Sequence, residues 1–128
     1  METQKQLIQD NCGQTCVAMI AGISQWDAMH AVGNDHGTQP KYLQEALFKF
    51  GFNVERKRFV KAEWPPKLAI GLIRDRFLKE YGHAVVVREG QVIDPALGRP
   101  MPADRFLELL RCNGRYITAL IVVNGKRY

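Results

Sequence analysis

The chain has 128 residues, 46% hydrophobic and 24% charged, with eighteen Lys and Arg against thirteen Asp and Glu for a formal charge of +5. That length suits one compact domain with its own core, and the composition excludes the disordered, collagenous and disulfide-scaffold classes. No run approaches the ~20 apolar residues that span a bilayer, and residues 1–5 lack a signal-peptide apolar region. A single soluble domain over residues 1–128, cytoplasmic and without a membrane segment, is therefore expected.

The first predicted element is a buried helix beginning at or just after Cys12. Cys16, Val17, Ile20 and Ile23 recur at helical spacing and Gly22 supplies a stop. Ser24 followed three residues later by Asp27 resembles a capping box with Asp in place of Glu, opening a short second helix that ends near Gly33. Asn34 to Gly37 reads as a turn. Thr38 then caps a third helix, with Pro40 in its first turn, Leu43, Ala46, Leu47 and Phe50 as its apolar stripe, and Gly51 closing it.

After Gly51 the period changes. Phe52, Val54, Arg56 and Arg58 alternate with their neighbours as on an edge strand, until Trp64-Pro65-Pro66 breaks the pattern. Leu68 to Ile73, His83 to Arg88, Gln91 to Ile93 and Tyr116 to Val123 read as further strands. A turn at Glu89-Gly90 joins the middle pair, and a helix from about Ala103 to Arg111 precedes the last strand. Helices followed by hairpin-linked strands describe an α+β domain, with helices packed on one side of a mostly antiparallel sheet. Trp26, Trp64 and the group Phe48, Phe50 and Phe52 are expected in the core or lining a groove.

A cysteine in the first turn of a helix lies near the positive end of the helix dipole and near backbone N–H groups without intrahelical partners, which favours the thiolate. Cys12-Gly13 fits that placement, the glycine removing a Cβ where a substrate backbone must approach and the Cys12 N–H facing an oxyanion. His83 opens the run Ala84-Val85-Val86-Val87 at the entrance of a strand. Asp94 ends the next strand, directly before Pro95. The tight hairpin through Glu89-Gly90 brings His83 and Asp94 to the same open end, where a carboxylate can fix the imidazole tautomer and stabilise the imidazolium. An oxyanion hole needs a second donor. Gln6 stands six residues before Cys12, and Gln4 and Gln9 are nearby as well, so spacing does not choose among them.

The ordered pattern of Gln6, Cys12-Gly13-Gln14-Thr15-Cys16-Val17-Ala18-Met19-Ile20, Gly37-Thr38 before a leucine-bearing helix, Gly82-His83-Ala84-Val85-Val86 and Val92-Ile93-Asp94-Pro95 resembles the bacteriocin-processing peptidase family. That family is a branch of the papain-like cysteine peptidases. The resemblance implies a papain-like fold and a peptide or protein substrate. It also implies Gln6 at the oxyanion hole, Cys12 as nucleophile, His83 as base and Asp94 as the residue that orients the histidine. Ala84 departs from the aromatic frequent after the histidine, and no attached transporter is expected from these 128 residues. The expected chemistry is acyl transfer without a cofactor, through thiolate attack on an amide carbonyl and an acyl-enzyme; protease, deamidase and transamidase share this constellation.

Other classes fit less well. Structural zinc shows two tight ligand pairs, whereas Cys12 and Cys16 give one marginal pair, with His30 read as a helix-surface residue and His36 as a turn residue, so no metal is expected. Three cysteines are an odd number and point to free thiols in a reducing compartment, Cys16 being a core residue and Cys112 carrying no motif. The basic clusters Glu55-Arg56-Lys57-Arg58 and Lys126-Arg127 lack interleaved reading elements, so they read as solvated and no nucleic acid is expected. The competing function class is a non-catalytic papain-like binding module that uses Arg56, Lys57 and Arg58 to engage or inhibit an acidic protein partner.

Overall fold

A computed structural model describes residues 1–8, 10–34 and 39–127. The chain runs through α1 (Cys12–Ala21), α2 (Gln25–Val32), α3 (Pro40–Lys49), β1 (Phe52–Arg58), a single 3₁₀ turn (Lys61–Glu63) and β2 (Leu68–Asp75). It continues through β3 (Gly82–Arg88), β4 (Gln91–Asp94), β5 (Arg99–Pro102), α4 (Ala103–Cys112) and β6 (Arg115–Lys126). The strands form one antiparallel sheet in the order β1-β6-β2-β3-β4-β5, with β1 at an edge as its charged alternation implies.

The punctuation of the helices follows the local chemistry. Gly22 ends α1 in the left-handed region at φ 70°, and the Ser24 hydroxyl accepts the Asp27 N–H at 3.0 Å to start α2. Pro40 opens α3 with Gln39 extended before it. The expected Thr38 cap and the turn at His36 lie outside the described residues. Between β3 and β4, Glu89 and Gly90 both take positive φ, 48° and 82°, the two-residue turn whose twist suits a hairpin.

Two layers of helix enclose the sheet. Cys16, Val17, Ile20, Leu43 and Leu47 from α1 and α3 pack on Ile70, Val86 and Ile93, while Phe106 and Leu110 of α4 pack on Val85, Val87 and Val92 across the other face. The expectation of helices on one side thus fails for α4. The reason lies in β3, where Ala84 through Val87 are all buried, so both faces of the strand need cover. Phe106 and Leu110, one helical turn apart, supply it.

Three further differences have physical causes. β5 contains Pro100 and Pro102, which mask a strand in the sequence but are tolerated here because β5 is the sheet's other edge. β6 runs on through Asn124-Gly125, a turn signal absorbed by an irregularity in the pairing opposite Asn53/Val54. Trp26 and Phe48 are outside the core, 61% and 50% exposed; Phe48 lines a surface groove with Gln44, Glu45 and Val54, the second of the two places expected for it, and the Arg127 guanidinium lies 3.8 Å from its ring centroid. Phe52 is buried, and Phe50 and Trp64 pack against the core as expected. Among the described residues no helix is long and apolar enough to cross a membrane.

Candidate active site

The site begins at the start of α1. Asn11 precedes the helix but makes no side-chain cap. Its amide is instead fully buried, donating toward Gln25 Oε1 at 3.4 Å and Met29 Sδ at 3.9 Å. The Asn11 side chain therefore leaves the N–H groups at the positive end of the helix uncapped. Cys12 itself is half-buried, Cys16 buried and Cys112 exposed, all three as free thiols. Burial pushes the Cys16 thiol well above its ordinary range and keeps it neutral, consistent with its expected core role. Gly13 lines a cleft beside Cys12, and it has a second reason besides the expected one. A Cβ there would lie 3.0 Å from Leu43 Cδ2, so the missing side chain also lets α3 approach α1.

His83 and Asp94 come together as their hairpin predicts. Carrying the β3–β4 register one pair past Val86↔Ile93 sets Asp94 opposite Val85, which makes His83 its diagonal neighbour on the same face. The contact is short, His83 Nε2 to Asp94 Oδ1 at 2.6 Å, with side chains 16% and 23% exposed. The Ala96 N–H also donates to Asp94 Oδ1 at 2.9 Å. Since Nε2 is committed to Asp94, Nδ1 is the ring nitrogen left to face Cys12, which lines the same cleft.

Burial of the His83 ring works against its charged form. Hydrogen bonds and charge from Asp94 and Cys12 outweigh that effect and hold its pKa up to about 9, against an ordinary 6.5. For Asp94, burial raises the pKa, but the His83 bond and charge and the Ala96 N–H hold it below the usual carboxylate value. The folded state thus binds more protons than the unfolded chain between 6.5 and about 9. The stability His83 contributes is complete below 6.5 and is lost as pH rises through about 9. The expected result is a thermal midpoint that falls across that window, with a flatter profile in His83→Gln; a wild-type midpoint that rises over the same range would contradict the assignment.

Gln6 and Gln4 separate in the structure. The Gln4 amide donates to the Ile23 carbonyl at 3.0 Å, which ties it to the α1–α2 connection. Gln6 instead lines one cleft of about 820 Å³ together with Cys12, Gly13, Leu43, Tyr81 and His83. Its Nε2 donates one proton to the Ile8 carbonyl at 3.2 Å, leaving its second N–H unassigned, and Oε1 is buried without a partner among the described residues. Gln9 lies outside the described residues. One group that sequence reasoning missed is Gln25, a buried amide at the start of α2. Among the described residues no set of three His, Cys, Asp or Glu side chains is arranged to hold a metal.

By sequence, no family profile matches the chain and no curated protein matches it. By structure, it is similar to a double glycine motif protease from an AMS/PCAT transporter, solved in complex with the leader peptide. The TM-score is 0.68 at 15% identity, covering 97% of this chain and 91% of that one. It is similar also to the peptidase domain of Streptococcus ComA, a bi-functional ABC transporter involved in quorum sensing, with TM-score 0.65 at 17% identity over 98% of each chain. The α+β fold of this chain is that of papain-like, double-glycine peptidase domains.

Proposed function

We propose that the protein is a cysteine hydrolase that cleaves a peptide bond or related amide by acyl transfer through Cys12. One observation carries this reading: the His83 ring is held by Asp94 at 2.6 Å on one nitrogen, which leaves its other nitrogen for Cys12, a lining residue of the same cleft. The Cys12 thiol gives its proton to His83 as the sulfur becomes the nucleophile. Sulfur attacks the carbonyl carbon, and the carbonyl oxygen takes the developing charge toward the Cys12 N–H and the Gln6 amide. His83 then gives its proton to the leaving amine, which departs as the C–N bond breaks. Water attacks the resulting thioester while His83 accepts its proton, releasing the acid and the thiolate, and Asp94 keeps the ring oriented through both steps.

The leader peptide bound by the AMS/PCAT neighbour favours a peptide substrate here, and that neighbour's double-glycine motif selects the first probe, a peptidyl coumarin amide ending in Gly-Gly. The basic-surface binding module has no comparable support in the geometry. Iodoacetamide near pH 6, followed by mass mapping, tests the nucleophile. Cys12 should label ahead of Cys16, which is buried and neutral, and ahead of Cys112, which is exposed and does not line the cleft. Faster labelling of Cys112 would remove Cys12 from the role.

A further inference from the structure

We infer that Gln25 is a positioning residue for the oxyanion hole, holding residues 5–7 so that Gln6 faces the cleft beside Cys12. The inference rests on the acyl-transfer reading above. A carboxamide carries a donor and an acceptor side by side, as a peptide unit does, so it can pair with an extended segment as a neighbouring strand would. Gln25 does this: its Nε2 donates to the Lys5 carbonyl at 2.7 Å and its Oε1 accepts the Leu7 N–H at 2.9 Å. Those two backbone groups bracket Gln6 on one edge of the segment. On the opposite edge, the Gln6 N–H donates to the Pro95 carbonyl at 2.8 Å, one residue past Asp94. With both edges engaged, the Gln6 side chain is directed off the face of the segment, into the cleft it shares with Cys12.

The same oxygen reaches the nucleophile's helix. Gln25 Oε1 also accepts the Thr15 hydroxyl at 3.2 Å and the Asn11 amide at 3.4 Å, both in the turn that starts α1 around Cys12. The Asn11 carbonyl lies 3.0 Å from Thr15 Oγ1 as well, so it and Gln25 Oε1 share the one hydroxyl proton, which closes the network. Gln25 is only 5% exposed and Asn11 and Thr15 are fully buried, so water cannot replace these bonds without local opening. The turn after Asp94 completes the clamp, since a Cβ on Gly98 would lie 2.7 Å from Lys5 Cβ. One side chain thus sets Gln6 and the start of the Cys12 helix in a common frame, and a displacement of about 1 Å in such a frame costs up to about 100-fold in rate.

The test is a mutant cycle with an independent structural readout. Gln25→Leu keeps the bulk and removes all four bonds, and Gln25→Glu keeps the oxygen for Leu7 and Thr15 while losing the donor to Lys5. Gln25→Leu should lower kcat on the order of 10- to 100-fold with KM within about twofold, and Gln25→Glu should fall between it and the wild type. In a Gln6→Ala background the same Gln25 changes should have less than about a twofold effect, because the group they position is already gone. By NMR hydrogen exchange, the Leu7 and Gln6 amides should exchange faster in Gln25→Leu, and the Gln6 amide in Gln25→Glu, while β3 amides do not. If Gln25→Leu fails to fold, Gln25→Glu carries the kinetic comparison and the Gln6 exchange. Additive losses in the double variants, or unchanged Gln6 exchange, would overturn the positioning role while leaving the hydrolase intact. Wild-type protein without Cys12-dependent turnover would overturn both.

Discussion

Alanine at Cys12 or at His83 is expected to abolish measurable turnover of the Gly-Gly probe, a loss on the order of 10⁶-fold for members of such a unit, whereas Asp94→Ala should leave a small residual rate after a loss of about 10⁴-fold. The order follows from what each group does. Sulfur forms the bond and His83 moves every proton, while Asp94 holds the ring and stabilises its charge through one 2.6 Å contact. The losses should also be non-additive, since Cys12→Ala leaves His83 no thiolate to pair with. His83→Ala strands a mostly buried Asp94 without its partner, which costs about 1–3 kcal/mol of stability, so His83→Gln is the control that separates folding from chemistry. Steady-state rates beside urea-unfolding midpoints provide the check, and a His83→Gln protein that turns over at the wild-type rate would exclude His83 from proton transfer.

For Gln6→Ala the expected loss is on the order of 10²- to 10³-fold in kcat, roughly 3 to 4 kcal/mol of transition-state stabilisation, with KM little changed. Stability should hardly move. The backbone bond from the Gln6 N–H to Pro95 survives the substitution, and the side chain's only hydrogen bond among the described residues is a 3.2 Å contact to Ile8 two residues away. Gln4→Ala is the matched control, because that amide binds the Ile23 carbonyl instead. A drop in kcat for Gln4→Ala equal to that for Gln6→Ala would remove Gln6 from the oxyanion hole.

Features set by short-range chemistry were legible in the sequence. Gly22, Ser24 and Gly51 mark helix boundaries because capping and left-handed backbone are local requirements. The His83–Asp94 contact was legible for the same reason: a two-residue turn with positive φ at Glu89 and Gly90 fixes the register of everything beyond it. The order of Gln6, Cys12, His83 and Asp94 along the chain then carried the family resemblance, and the fold bears that resemblance out.

What stayed hidden depends on partners distant in sequence. Gly13 answers to Leu43 thirty residues on, and no local pattern reveals that contact. Gln25 carries no local signal, because its amide pairs with Leu7 and Lys5, 18 and 20 residues earlier in the chain. The position of α4 was accessible in principle, since an unbroken apolar run from Ala84 to Val87 asks for cover on both faces, but the preceding three helices suggested a one-sided arrangement. β5 was obscured by its prolines, which only the sheet's edge can accommodate. Trp26 and Phe48 are large aromatics that the finished packing leaves outside, a distinction that composition and spacing do not make.

The most direct measurement of the central claim is the turnover of three proteins side by side on one peptide substrate: wild type, Cys12→Ala, and a charge reversal of Arg56, Lys57 and Arg58 on the edge strand β1. If Cys12 is the nucleophile, the first and third proteins should cleave at similar rates while Cys12→Ala is inert, because the reversal leaves the cleft untouched. Full activity in Cys12→Ala, together with loss of activity on charge reversal, would contradict the hydrolase account.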